Sequence, residues 1–157
     1  MPSLWRIAAD TPIYGADDLT GKGAEITGGR WNRKGTPLLY SSESRALACL
    51  ETLVHLAGGA PLPLNRYLVE IRVPQPLWDA RTRFDASANV GWDAEPAGLV
   101  SLDWGTQWAQ SLQNVLADVP SIVVPEESNV LVNPRHPDVA QLSAKKLRRW
   151  TYDQRLR

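Results

Sequence analysis

Short runs of hydrophobic residues, some alternating with polar positions, predict strands along much of the chain. Residues 4–8 and 37–42 are apolar runs of strand length. Residues 66–74 alternate between apolar and polar side chains, which is typical of a half-buried strand. Further strands are predicted at residues 119–125, at the start of 129–138 before a proline turn, and at 146–153. Short strands therefore dominate the predicted structure.

A helical period is clearest in residues 43–57, and Ser42 is the predicted N-terminal cap of that helix. A second helix is predicted over residues 105–118 and a short one near residues 139–144. The apolar face of the first helix is predicted to carry Ala46, Leu47, Leu50, Leu53, Val54 and Ala57. The buried side of the second is predicted to carry Trp108, Leu112 and Val115.

The remaining segments lack a regular pattern and are predicted to be irregular. They are residues 11–29, rich in glycine and aspartate, and the tryptophan-bearing residues 75–104. Because strands and helices are mixed without regular strand–helix–strand alternation, we expect an α+β fold with a mostly antiparallel or split sheet and flanking helices. The length of 157 residues suits a single domain over residues 1–157 with one hydrophobic core.

Charge and cysteine content narrow the classes of function. Lysine plus arginine (17) balance aspartate plus glutamate (17), so we expect no direct contact with nucleic acid and none with a membrane. Cys49 is the one cysteine, which excludes an internal disulfide and fits a reducing cytoplasm. His55 and His136 lie far apart without partners at metal-ligand spacing, so no metal site is expected.

A candidate site is suggested by residues 28–56, where a polar, turn-rich segment is followed by a helix with a carboxylate. Glu51 falls at the edge of the predicted apolar face, and Arg30 and Tyr40 precede the helix. Each has an ordinary structural explanation: a paired half-buried carboxylate, a loop arginine and a core tyrosine. Trp31, between Arg30 and Asn32, is the one of seven tryptophans that we associate with the site.

Taken together, four motifs resemble the RES domain family, which is named for its arginine, glutamate and serine. The motifs are GGRWN, PLLYSSESRALACLETLVH, VPSIVVPEESNVLVNPRHPD and a terminal YDQRL. The resemblance extends over essentially the whole chain and includes the early LWRIA. It implies an ADP-ribosyltransferase-like fold whose split sheet opens a cleft for NAD+. It also implies the toxin of a bacterial toxin–antitoxin pair, neutralised by an Xre-type antitoxin.

The resemblance further implies which residues act. The family's catalytic residues are matched by Arg30, Tyr40, Glu51 and Ser121. Contacts to NAD+ are expected from Arg6, Arg30, Trp31, Asn32, Tyr40, Ser121 and Asn129. NAD+ is then a substrate that is cleaved between nicotinamide and ribose, without a metal.

These residue types suit that chemistry. An arginine binds pyrophosphate through charge-assisted hydrogen bonds, and an aromatic ring can stack on cationic nicotinamide. A carboxylate such as Glu51 offsets the positive charge of an oxocarbenium-like ribose. Ser121 is expected either to position the ribose or to hold Glu51 by a hydrogen bond.

Two other classes of function remain open from the sequence. The chain could be a non-catalytic binding module with the same fold, although it retains Arg30, Tyr40, Glu51 and Ser121. A small nucleic-acid-binding protein is disfavoured by the zero net charge. Within the enzyme hypothesis, ADP-ribose can pass to water, to phosphate or to a protein target, and we lean slightly towards a protein.

Overall fold

A computed structural model describes residues 1–56 and 60–156. Within these ranges the strands are β1 Ser3–Ala9, β2 Leu39–Ser42, β3 Arg66–Arg72, β4 Thr82–Arg83, β5 Leu116–Pro120, β6 Ser128–Val132 and β7 Ser143–Trp150. The α-helices there are α1 Lys22–Thr27, α2 Arg45–Val54, α3 Gln75–Asp79 and α4 Leu99–Ser111. Short 3-10 helices lie at Pro137–Gln141 and Gln154–Leu156.

The strands form one sheet that divides near its middle. Its order is β4-β5-β6-β2-β1-β3-β7, and every pairing except the parallel β4–β5 pair is antiparallel. β1 pairs with β3 along its whole length, but it meets β2 only where Trp5 lies opposite Ser42. Beyond that point the two halves separate. The predicted α+β fold with a mostly antiparallel sheet is confirmed.

Apolar side chains cover both faces of the central strands. Leu4, Val69 and Ile71 belong to the largest buried cluster. On the opposite face, Trp5 and Leu68 pack with residues of α2. The half-buried pattern predicted for β3 holds at Arg72, which is exposed, whereas Leu68 on the same face is only 3% exposed because it packs against α2.

A third buried cluster is rich in aromatic rings and supports the loop before β2. Trp31 makes edge contacts with Phe84 and Trp104 and stacks near Trp92. α4 approaches the main chain of Trp31 at Gly105, where a side chain would collide with the Trp31 carbonyl. This close packing fixes the position of residues 29–32 against the sheet.

The predicted helix at 43–57 is present, but its cap and its buried face differ from the prediction. α2 begins at Arg45, and its cap is Ser44, whose Oγ accepts a hydrogen bond from Leu47 N at 3.1 Å. Ser42 remains in β2. The side chains that α2 buries are Leu47, Ala48 and Cys49. Contrary to prediction, Ala46, Leu50 and Val54 are exposed, and Ala57 lies outside the described residues.

Two predicted irregular segments contain helices, and one predicted helix is displaced. Residues 11–29 include α1, and residues 75–104 include α3 and the first half of α4. α4 ends at Ser111 because Leu112 adopts a left-handed backbone (φ 54°), so the predicted end at residue 118 is wrong. Leu112 is consequently exposed, and residues 116–118, predicted to be helical, form part of β5.

The C-terminal half follows the predicted order with shifted bounds. The strand predicted over 119–125 ends at Pro120, and β7 runs over Ser143–Trp150 rather than 146–153. The short helix predicted near 139–144 is the 3-10 helix at Pro137–Gln141. Among the described residues, no helix combines the length and apolar character needed to cross a bilayer.

Candidate active site

A cavity of about 1070 Å³ lies where the two halves of the sheet separate. Its walls come from β1, β2, α2, the loop before β2 and the loop that follows β5. This volume is at the upper end of small-molecule sites, which span roughly 300–1,000 Å³. The predicted site residues that line it are Arg6, Arg30, Trp31, Tyr40, Glu51 and Asn129. Asn32 and Ser121 lie behind its wall, each fully buried.

Glu51 is held at the cavity wall by two side-chain donors. Ser121 Oγ donates to Glu51 Oε1 at 2.6 Å, and Asn129 Nδ2 donates to the same oxygen at 2.8 Å. α2 supplies Glu51, whereas the two donors come from the end of β5 and from β6. Three elements therefore fix one carboxylate oxygen, and the second oxygen, Oε2, is left for other interactions.

Ser121 is a structural anchor of this arrangement. Its hydroxyl accepts hydrogen bonds from Val123 N at 3.1 Å and Val124 N at 3.0 Å while it donates to Glu51. Its main-chain N donates to Glu127 O at 2.9 Å. Of the two roles expected for Ser121, the geometry supports the one in which it holds Glu51.

Arg6 presents a cation with unused donors to the cavity. Its Nη1 donates to Tyr40 O at 2.7 Å, and its buried Nε has no partner among the described residues. Burial lowers the pKa of Arg6 to about 10, and attraction to Asp18 and Tyr14 opposes that shift. Arg6 is therefore charged at neutral pH, and a half-buried charge with a free donor favours an anionic ligand.

Arg30, in contrast, is occupied by the loop at residues 92–95. Its Nη1 donates to Trp92 O at 3.1 Å and Ala94 O at 2.8 Å, and its Nη2 donates to Glu95 Oε2 at 2.7 Å. The Arg30 side chain is 13% exposed, but that of Glu95 is 74% exposed. Since solvent screens such a pair, the Glu95 contact can be exchanged for a ligand at small cost.

Tyr40 links the cavity to the loop before β2. Its hydroxyl donates to Asn32 Oδ1 at 2.6 Å and accepts from Trp31 N at 3.0 Å. Burial raises the pKa of Tyr40 above its ordinary value, so the phenol stays neutral. Gly29 is required here, because a Cβ at that position would lie 2.6 Å from the Tyr40 hydroxyl oxygen.

Asn32 and Trp31 support this loop from behind. Asn32 Nδ2 donates to Ala24 O at 2.8 Å and Thr36 O at 2.9 Å, so both ends of the Asn32 amide have partners within the protein. The Trp31 side chain is 3% exposed and belongs to the aromatic cluster. These contacts indicate that Asn32 and Trp31 position Arg30 and Tyr40.

The sequence missed two contributors to the site. Ser42, predicted as a helix cap, instead lines the cavity and donates to Asn129 Oδ1 at 2.7 Å. The loop that holds Arg30 falls in residues 75–104, for which no site was predicted; the run of Asp93 and Glu95 there was the one available signal. Within residues 1–56 and 60–156, no three His, Cys, Asp or Glu side chains are grouped to hold a metal ion.

The fold and this site define an α+β domain with a cleft at the split of its sheet that is lined by two arginines and a carboxylate. The chain matches the family model described as RES domain over residues 3–154. It therefore belongs to the RES domain family, as the four motifs predicted.

Several relatives of this chain are named as toxins. The chain is 57% identical over 155 residues to a protein of Sphingobium sp. (strain YBL2) named "Prs ADP-ribosylating toxin", covering 98% of this chain and 96% of the relative. It is 40% identical to a "Toxin Res" of Yersinia enterocolitica, with coverage of 78% and 79%. It is 34% identical to a "Toxin Res" of Pseudomonas putida, with coverage of 98% for both proteins.

Proposed function

We propose that this protein is an ADP-ribosylating toxin that cleaves NAD+ between nicotinamide and ribose and transfers the ADP-ribose. The observation that carries the proposal is the cavity at the sheet split, which brings Glu51, Arg6, Arg30 and Tyr40 to one set of walls. The name of the Sphingobium relative supports the same chemistry. NAD+ is a substrate in this scheme, and no step requires a metal.

Glu51 stabilises the transition state. As nicotinamide leaves, the ribose carbon gains positive charge, and a fixed carboxylate offsets that charge. Ser121 and Asn129 both bond Oε1, so Oε2 is the oxygen that faces the ribose. Because the carboxylate is already oriented, little reorganisation is needed during the reaction.

The two arginines divide the binding of the substrate. Arg6 is the primary anchor for the pyrophosphate, since its half-buried cation has a free donor, Nε, before any ligand arrives. Arg30 binds second, when a phosphate displaces the exposed Glu95 carboxylate from its guanidinium. Tyr40 lines the same cavity as the two arginines and Glu51, and its ring stacks on nicotinamide.

The acceptor of ADP-ribose in this scheme is a protein. The relative from Sphingobium is named for ADP-ribosylating a target, Prs, and it matches this chain over nearly its whole length. Transfer to water or phosphate would use the same cleavage step. The three reactions differ only in which nucleophile reaches the ribose carbon after nicotinamide departs.

A neutralising partner follows from the toxin assignment. Three relatives are named "Toxin Res", and a toxin that consumes NAD+ must be inhibited in the cell that makes it. We propose an Xre-type antitoxin as that partner and the cytoplasm, where NAD+ is abundant, as the site of action.

The test uses NAD+ labelled in its adenylate half. Purified protein is mixed with labelled NAD+ and a bacterial lysate, and free nicotinamide and the location of the label are measured. We expect nicotinamide release with label on a protein band. Label confined to ADP-ribose or its phosphate ester would replace transfer to protein by hydrolysis or phosphorolysis. NAD+ that binds but stays intact would overturn the proposal in favour of a non-catalytic binding module.

A further inference from the structure

Ser42 occupies the point at which the sheet divides. It is the last residue of β2, it pairs with Asn129 of β6, and it is the partner of Trp5 in the single pair that joins the two halves. Its side chain is 3% exposed and lines the cavity. A hydroxyl at this position is thus fixed by strands on both sides.

The Ser42 hydroxyl holds the end of the Asn129 amide that faces away from Glu51. Ser42 Oγ donates to Asn129 Oδ1 at 2.7 Å, and Asn129 Nδ2 donates to Glu51 Oε1 at 2.8 Å. An amide has a donor end and an acceptor end, and a carboxylate can bond only the donor end. Glu51 therefore sets the orientation of the amide, and the Ser42 hydroxyl bonds the amide oxygen and so restricts the movement of the Asn129 side chain.

We propose that Ser42 is a positioning residue that acts through Asn129 to hold the Glu51 carboxylate in its reactive orientation. The inference rests on the proposed function, since it concerns the same carboxylate. Without the Ser42 hydroxyl the Asn129 amide keeps its bond to Glu51 but loses the contact that holds its other end. The carboxylate is then held less firmly in its orientation towards the ribose, so catalysis suffers more than substrate binding.

A double-mutant cycle tests this chain of contacts, with single-turnover release of nicotinamide from NAD+ as the readout. Ser42→Ala should lower the rate constant about 10-fold, the effect of one lost hydrogen bond, with little change in KM. Asn129→Ala should lower it by about 10-fold or more. In the Asn129→Ala background, Ser42→Ala should have no further effect, because its route to Glu51 is already removed.

The control is Ser101→Ala, which removes another fully buried serine hydroxyl, one without a hydrogen-bond partner among the described residues. It should release nicotinamide at the parent rate. Thermal unfolding of every variant identifies loss of fold. If Ser42→Ala unfolds, Ser42→Cys, whose thiol is a weak donor of similar shape, takes its place in the cycle.

The outcomes separate this inference from the proposed function. Additive losses, or a Ser42→Ala variant with unchanged rate, would overturn the role of Ser42 while nicotinamide release by the parent protein stands. A parent protein that releases no nicotinamide would overturn both. Non-additive losses confined to the rate constant support the positioning role, which a merely structural serine would not produce.

Discussion

At the scale of single residues, the site combines groups that are costly to bury with partners that fix them. Arg6 keeps its charge in a half-buried position, and its Nε has no partner among the described residues. Glu51 has one oxygen fully engaged by Ser121 and Asn129. Hydrogen-bonding groups that lack partners destabilise the free protein, and they are typical of groups that bind a ligand.

Replacing Arg6 should therefore separate stability from binding. We expect Arg6→Met to melt at the same temperature as the parent or higher, because it removes a half-buried charge whose donors are only partly satisfied. Its NAD+ affinity should fall by about 10-fold or more, the effect of losing charge-assisted hydrogen bonds. Calorimetric titration and thermal unfolding measure the two quantities. Arg33→Met, which removes an exposed arginine outside the cavity lining, should leave affinity unchanged; a large loss of stability in Arg6→Met with normal affinity would contradict the role.

The same residue predicts a pH dependence of binding. The pKa of Arg6 is about 10, so the guanidinium is charged below that pH and loses its proton above it. NAD+ affinity should be constant from pH 7 to 9 and decline as pH rises through 10. The Arg6→Met variant should lack this decline over the range in which the fold persists. Equal declines in both proteins would assign the effect to another group.

Arg30 should behave differently because it also supports a loop. Arg30→Ala removes three hydrogen bonds to residues 92–95 as well as a ligand contact. We expect both weaker NAD+ binding and a lower melting temperature, with binding affected more than the rate of a bound molecule. Glu95→Gln is the matched probe: it weakens the competing ion pair, so NAD+ should bind as tightly as to the parent or more tightly. Weaker binding to Glu95→Gln would contradict the exchange of partners at Arg30.

At the scale of elements, the sequence predicted strands better than helices. β1, β2 and β3 follow clean apolar or alternating patterns, and they occur close to the predicted positions. α1 was missed because it has six residues flanked by glycines, and α4 was misplaced because Gly105 resembled a helix start. Gly105 is instead required for the close approach of α4 to Trp31, and no local sequence pattern indicates such a tertiary contact.

The residues of the site were likewise predicted only in part. Family motifs located Glu51, Arg30 and Tyr40, all within 22 positions of one another. Ser42 was predicted to be the helix cap, but the actual cap is Ser44, two residues later. The residue type alone does not distinguish the two serines. Its bond to Asn129 joins residues 87 positions apart and depends on strand pairing, which the sequence did not specify.

The packing of α4 gives a prediction at this scale. Gly105→Ala places a methyl group against the Trp31 carbonyl, so we expect a loss of about 2–4 kcal/mol in the free energy of unfolding. Gly98→Ala, where the added Cβ meets its nearest neighbour at 3.4 Å, should cost less than about 1 kcal/mol. Chemical denaturation measures both. Similar stabilities for the two variants would contradict the close approach of α4 to the loop.

At the scale of the whole molecule, one feature of the sheet produces the site. In the described part of the chain, β1 and β2 pair as strands only at Trp5 and Ser42, and the cavity lies where the two halves of the sheet separate beyond this pair. Arg6 comes from one half, Tyr40 and Asn129 from the other, and α2 brings Glu51 across the gap. The split of the sheet thereby places Arg6 and Glu51 on the walls of one cavity, where the proposed function needs them.

The most direct test of this account is nicotinamide release from NAD+ by purified Glu51→Gln. This variant keeps the shape of the side chain but removes the negative charge that the transition state requires. We expect an intact fold, retained NAD+ binding and a rate lowered by at least about 10²-fold, whereas Glu43→Gln, which alters an exposed glutamate just before α2, keeps the parent rate. Release of nicotinamide by Glu51→Gln at the parent rate would contradict the assignment of the cavity as the catalytic site.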